Sequence, residues 1–145
     1  MTAPLLGHPQ RVLFLCTHNS ARSQMAEGLL RAFGGDRFAV FSAGTEATFV
    51  RPDAIAVMDE LGIDISGQES KTLDRYLHEQ FDKVITVCDD ANESCPVFLG
   101  ARTRLHWSFP DPSKATGSAE ERRQVYRNVR DAIRERIAND LLGSS

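Results

Sequence analysis

The sequence predicts an α/β fold: a four-stranded parallel sheet in a three-layer α/β/α arrangement. Three observations lead there. Val12-Leu13-Phe14-Leu15 and Lys83-Val84-Ile85-Thr86-Val87 are short apolar runs with the length and composition of buried strands. Apolar residues between such runs recur at helical spacing and stop at glycines. Strand-like and helix-like segments alternate along the chain, which is the signature of a parallel sheet wrapped on both faces.

The elements follow in order. Residues 1–9 read as a flexible tail, because Gly7, His8 and Pro9 break any pattern, and residues 10–145 read as one domain. The first strand leads into a helix marked by Met25, Ala26, Leu29, Leu30 and Phe33 and stopped by Gly34-Gly35. Phe38-Ala39-Val40-Phe41-Ser42 is the second strand, followed by a turn-like Ala43-Gly44-Thr45. Pro52 suits the first turn of a helix whose apolar face is Ala54, Ile55, Met58 and Leu61, with Gly62 ending it. A shorter helix is expected over Leu73–Leu77, the third strand over Lys83–Val87 and the fourth over Thr103–Trp107. Ser118 and Glu121 stand at capping-box spacing before a last helix striped by Val125, Val129, Ile133, Ile137 and Leu141.

A chain of 145 residues with 41% hydrophobic content can bury one core. A formal charge of -3 argues against a nucleic-acid binder, and the arginines of the last helix alternate with acids like a solvated face. No apolar run is long enough to cross a membrane, and no signal peptide is evident. A soluble, cytoplasmic monomer is expected. In a reducing compartment the three cysteines, Cys16, Cys88 and Cys95, point to reactive thiols rather than structural disulfides.

Ligands of parallel α/β sheets bind beyond the carboxyl ends of the strands, and the suggestive residues collect there. Cys16-Thr17-His18-Asn19-Ser20-Ala21-Arg22-Ser23 joins the first strand to the first helix. Backbone N–H groups at a helix N-terminus form an anion site, Cys16 adds a nucleophile and Arg22 a bidentate clamp for a tetrahedral oxyanion. The amide N–H groups, the helix dipole and Arg22 all favour the thiolate of Cys16. Ser20 or Ser23 can donate to its sulfur, and Asn19 tolerates the unusual backbone that such a loop requires. His18 stands at poor spacing for sharing a metal with Cys16 and reads as an ordinary loop histidine. Asp111, in the loop after the fourth strand, is the candidate acid for a leaving oxygen. Cys88 and Cys95 enclose a polar loop and read as a redox pair, provided their Cα atoms come within about 7 Å.

Together these residues resemble the thioredoxin-coupled arsenate reductases, which share the fold of low-molecular-weight protein tyrosine phosphatases. The resemblance rests on Val12 to Glu27, Ser42-Ala43-Gly44-Thr45, Gly62 to Ser66, Val87-Cys88-Asp89 with Cys95-Pro96, and His106-Trp107 with Asp111-Pro112. It implies reduction of arsenate to arsenite in arsenic detoxification, with phosphate or sulfate as competing oxyanions. Arsenate would lie in the loop, held by Arg22 and the amides from Thr17 to Ser23. Cys16 would attack arsenic, Cys88 would attack the Cys16 sulfur, and Cys95 would resolve that disulfide into a Cys88–Cys95 pair reducible by thioredoxin. It also implies a potassium ion near Asn19 and Glu27 in some members, and no tightly bound cofactor. Phosphatases of this group usually carry a second cysteine where Ala21 stands, and aromatic residues after the Asp-Pro pair. Ser113 and Lys114 stand there in this sequence, so phosphatase activity is expected to be weak at most. A thiol-based sensor is disfavoured by the lack of a DNA-binding helix pair.

Overall fold

A computed structural model describes residues 8–89 and 96–142. Four parallel strands, β1 (Gln10–Cys16), β2 (Phe38–Gly44), β3 (Phe81–Thr86) and β4 (Ala101–His106), form one sheet in the order β2-β1-β3-β4. Three α-helices accompany them: α1 (Arg22–Gly34), α2 (Pro52–Asp59) and α3 (Ala119–Ile137). The expected four-stranded parallel sheet and helix order are observed, with strand ends moved by one or two residues.

β1 is central, so both of its faces are covered and residues 12–15 are wholly buried. This is why the sequence there is a continuous apolar run rather than an alternating one. Val12, Phe14 and Cys16 face the core shared with α1, α2 and α3, where Met25, Leu29, Met58, Val129 and Ile133 lie. Leu13 and Leu15 point the other way, into a smaller cluster with Tyr76, Phe81, Val84 and Phe98. There Phe81 packs edge-to-face against Phe41, Tyr76 and Phe98 at 5.5–5.8 Å between ring centres.

The layer on that second face is thin. The helix expected over Leu73–Leu77 is a 3-10 turn, Leu73–Tyr76, and Leu77 is exposed. Phe33, expected on the apolar face of α1, is 42% exposed and lies under the guanidinium of Arg134. In α3 the capping box forms as read, with Glu121 N donating to Ser118 Oγ and Ser118 N to Glu121 Oε1. Burial of Tyr126 and Arg130 beside the expected stripe widens its inner face.

Strand order places the crevice. The connection from β1 leads to β2 on one side, whereas β3 leads to β4 on the other. The carboxyl ends of β1 and β3 therefore flank the switch point where such sheets bind ligands. Cys16 ends β1, and Cys88 follows β3 by two residues.

Candidate active site

Cys16 closes β1 and is 2% exposed. The chain then turns through residues 17–21 before α1 starts at Arg22, and Asn19 takes φ 50°, the left-handed region that asparagine tolerates. The loop's carbonyls are tied down one by one. Thr17 O accepts from Glu46 N and Thr45 Oγ1, each at 3.0 Å. His18 O accepts from Ser70 Oγ, Asn19 O from Gln24 Nε2, and Ser20 O from Arg51 N. With its carbonyls held by the framework, the loop is a fixed cradle. Gly44, paired with Cys16 in register, makes room for it: a Cβ there would stand 2.7 Å from Thr17 O and 2.9 Å from both Cys16 O and Asn19 N.

The mouth of α1 differs from that of α3. Its N-cap is Ala21, with no side-chain cap and no acid in the first turn. A helix start without side-chain capping, beside a thiol and an arginine, is suited to an external anion. Arg22 is 3% exposed; its Nη1 donates to Phe109 O at 3.2 Å and its Nη2 lies 3.7 Å from Asp111 Oδ2. The guanidinium therefore joins the anion loop to the loop after β4. Asp111 Oδ1 accepts from Ser113 N and Ser113 Oγ, which fixes its carboxylate and leaves Oδ2 facing Arg22.

Behind the thiol runs a buried hydrogen-bond chain. Ser23 Oγ lies 2.9 Å from Cys16 Sγ. Asn19 Nδ2 donates to Ser23 Oγ at 2.8 Å and to Ser42 Oγ at 3.0 Å. Ser42 Oγ donates to Glu27 Oε1 at 2.5 Å and accepts from Lys71 Nζ at 3.3 Å. Burial pulls the Lys71 ammonium below its usual value, and the Glu27 carboxylate opposes that pull.

Of the residues read from sequence, Cys16, Asn19, Ser23, Arg22 and Asp111 come together at this end of the sheet. Ser20 and Ala21 are buried in the loop, and Thr17 O is anchored as described. His18 instead points outward, with Nε2 3.5 Å from Glu46 Oε1. Val87 N donates to Leu15 O, so Val87 extends β3 beside the end of β1 and the buried Cys88 comes next. Cys88 is disulfide-bonded, whereas Cys16 is a free thiol. Cys95 lies outside the described residues. Gln24, Ser42 and Lys71 complete the chain behind the loop without having been singled out as site residues in the sequence. Gln24 and Ser42 fall within segments that carried the resemblance; a buried lysine leaves no such mark.

Past Asp111, a cavity of about 410 Å³ is lined by Arg51, Asp53, Ser113, Arg122, Arg123 and Tyr126 among others. Burial, aided by Asp53 and Asp111, pushes the Tyr126 hydroxyl up to about 12, so it remains a neutral donor.

Residues 11–142 match the low molecular weight phosphotyrosine protein phosphatase family. The chain belongs to that family. An arsenate reductase from Halalkalibacterium halodurans is 49% identical over 126 residues, covering 87% of this chain and 91% of that protein. A solved arsenate reductase in the phosphate binding state superimposes with a TM-score of 0.77 at 37% identity, covering 90% of this chain and 95% of that one. A thioredoxin-dependent arsenate reductase from Corynebacterium glutamicum gives 0.61 at 27% identity, covering 90% of this chain and 61% of that one. The fold expected from the cysteine loop is therefore the fold observed. The cavity after the Asp-Pro pair is lined by the charged Arg51, Asp53, Arg122 and Arg123 together with the Tyr126 ring.

Proposed function

We propose that this protein reduces arsenate to arsenite through Cys16, Cys88 and Cys95, with thioredoxin as the final reductant. The arsenate reductases among its relatives support the reaction. The observation that carries the relay is redox asymmetry at the switch point: Cys88 is held in a disulfide while Cys16, at the end of the neighbouring strand, is free. A completed relay leaves the thiols in that state.

Arg22 and the amides of residues 17–23 hold the oxyanion. The Cys16 thiolate attacks arsenic and an oxygen departs as water, protonated by Asp111. The Cys88 thiolate then attacks the Cys16 sulfur. As that S–S bond forms, the S–As bond breaks and its electron pair stays on arsenic, so As(V) leaves as As(III). Cys95 attacks the Cys88 sulfur, Cys16 departs as a thiolate, and the new Cys88–Cys95 disulfide takes two electrons from the dithiol of thioredoxin. Passing the last disulfide from Cys16 to Cys88 and Cys95 lets a protein reductant act without entering the anion cradle.

The test is arsenate-dependent NADPH oxidation through thioredoxin reductase and thioredoxin. The wild type turns over; Cys88→Ser loses multiple turnover while its phosphate affinity stays near that of the wild type. Normal turnover by Cys88→Ser would overturn the relay. Cys16 and Asp111 also suit hydrolysis of phosphomonoesters. Ser113 and Lys114 follow Asp111-Pro112 where an aromatic wall would grip an aryl leaving group, so turnover of a small aryl phosphate falls below that of arsenate.

A further inference from the structure

The resemblance implies a potassium ion near Asn19 and Glu27, and the residues present do not fit one. Asn19 Oδ1 already accepts from Lys71 N at 2.8 Å and from Gln24 Nε2 at 2.9 Å. Glu27 Oε2 accepts from Arg31 at 2.6 Å, and Glu27 Oε1 accepts the Ser42 hydroxyl. A cation bridging Glu27 Oε1 and Ser42 Oγ would press against the Lys71 ammonium. That ammonium is 3.8 Å from the carboxylate oxygen and 3.3 Å from the hydroxyl, and Glu69 O anchors it at 2.8 Å. Two unit charges at such range repel strongly where solvent is excluded.

We propose that Lys71 supplies the cation of this site from within the chain, replacing potassium, and acts as a positioning residue for Cys16. This rests on the reading of Cys16 as a thiolate nucleophile. Lys71 and Glu27 are 8% and 6% exposed, so their pairing is shielded from solvent. Every hydrogen of the connecting chain is assigned. Ser42 gives its only proton to Glu27 and spends both lone pairs on Lys71 and Asn19. Asn19, oriented by two donors on its oxygen, turns its amide protons to Ser42 and Ser23. Ser23 is then left with its own proton for a Cys16 thiolate, which can only accept. Removing the ammonium takes one partner from the Glu27 carboxylate and from Ser42 and loosens the path that orients Ser23. The other charges facing Lys71 are Arg31 from α1 and Glu69 and Arg75 from the segment before β3. None of these is altered in the test.

The experiment measures the alkylation rate of Cys16 by iodoacetamide, followed on its peptide by mass spectrometry, with neither arsenate nor thioredoxin present. Failure here is thus distinct from failure of the reductase reading. For the wild type, rates in potassium, sodium and choline chloride at matched ionic strength should agree within about twofold, well under the tenfold step that 1.4 kcal/mol represents. For Lys71→Met in choline chloride the rate should fall about tenfold, and potassium should restore part of it. A potassium-specific acceleration of the wild type would overturn the proposal, and this arm needs no variant to fold. An unchanged rate in Lys71→Met, or a loss that no cation reverses, would overturn it as well.

Discussion

Ser23 is the second residue of α1, with its hydroxyl 2.9 Å from the sulfur of Cys16, and Asn19 already donates to the same oxygen. The amide contact orients the hydroxyl toward the sulfur, so the thiolate is met by a pre-aimed donor. A hydrogen bond to a charged acceptor contributes roughly 1.5–3 kcal/mol. Ser23→Ala should therefore slow Cys16 alkylation at neutral pH by about tenfold or more while leaving the thermal transition within a few degrees of the wild type. Equal alkylation rates would show that the amides and Arg22 suffice without it.

Gly44→Ala tests the cradle through its backbone. The added methyl meets three main-chain atoms at 2.7–2.9 Å, none of which can rotate away. The loop must shift or β2 must part from β1, at a cost of about 1–3 kcal/mol typical of overpacking. Calorimetric titration should show phosphate binding weakened at least tenfold, together with a lower Tm. Unaltered binding would mean that the cradle does not depend on this close approach.

The part of the site that lies along one stretch of chain was legible in the sequence. Cys16, Asn19 and Arg22 belong to a single strand-to-helix passage, so local pattern sufficed to place them, including the left-handed turn at Asn19. Asp111 could be placed because parallel strands deliver their loops to one end. Lys71 could not. Lys71 bonds Asn19 across 52 positions of sequence, and a buried lysine has no periodicity of its own. Phe33 misled for a related reason: helical spacing marks a face but does not say that a guanidinium from α3, rather than the core, will cover its end.

Glu60 gives the expected pH response of the helix layer. It lies just past α2 and bonds Arg127 and Arg130 of α3, while Arg130 Nη1 also donates to Val57 O at 2.7 Å. Arg127 first, with Arg130 adding to it, holds the Glu60 carboxyl below its usual value against the opposing effect of burial. A depressed folded-state value stabilises the fold above the ordinary glutamate range, near 4.3, and the benefit is lost as pH falls through the lowered value. Because Glu60 is partly exposed, screening limits this to about 1 kcal/mol or less. Denaturant melts should show Glu60→Gln less stable than the wild type at pH near 7, with the gap closing as the pH drops below about 4. A gap that persists in acid would assign the loss to packing.

Asp111→Asn separates holding the oxyanion from protonating what leaves it. Asparagine can keep the bonds now made to Ser113 N and Oγ through its carbonyl oxygen, so the loop geometry should survive. It cannot donate an acidic proton, and it removes the negative charge 3.7 Å from Arg22 Nη2. Losing that charge should leave phosphate affinity unchanged or slightly improved. Losing the proton should slow formation of the Cys16–arsenic bond by roughly a hundredfold, the lower end of what a positioned general acid supplies. Single-turnover arsenite release and phosphate titration on the same preparation distinguish the two effects. If release matched the wild type, Asp111 would serve only to set Arg22; if phosphate binding collapsed with it, the carboxylate would be part of the cradle rather than the acid beside it.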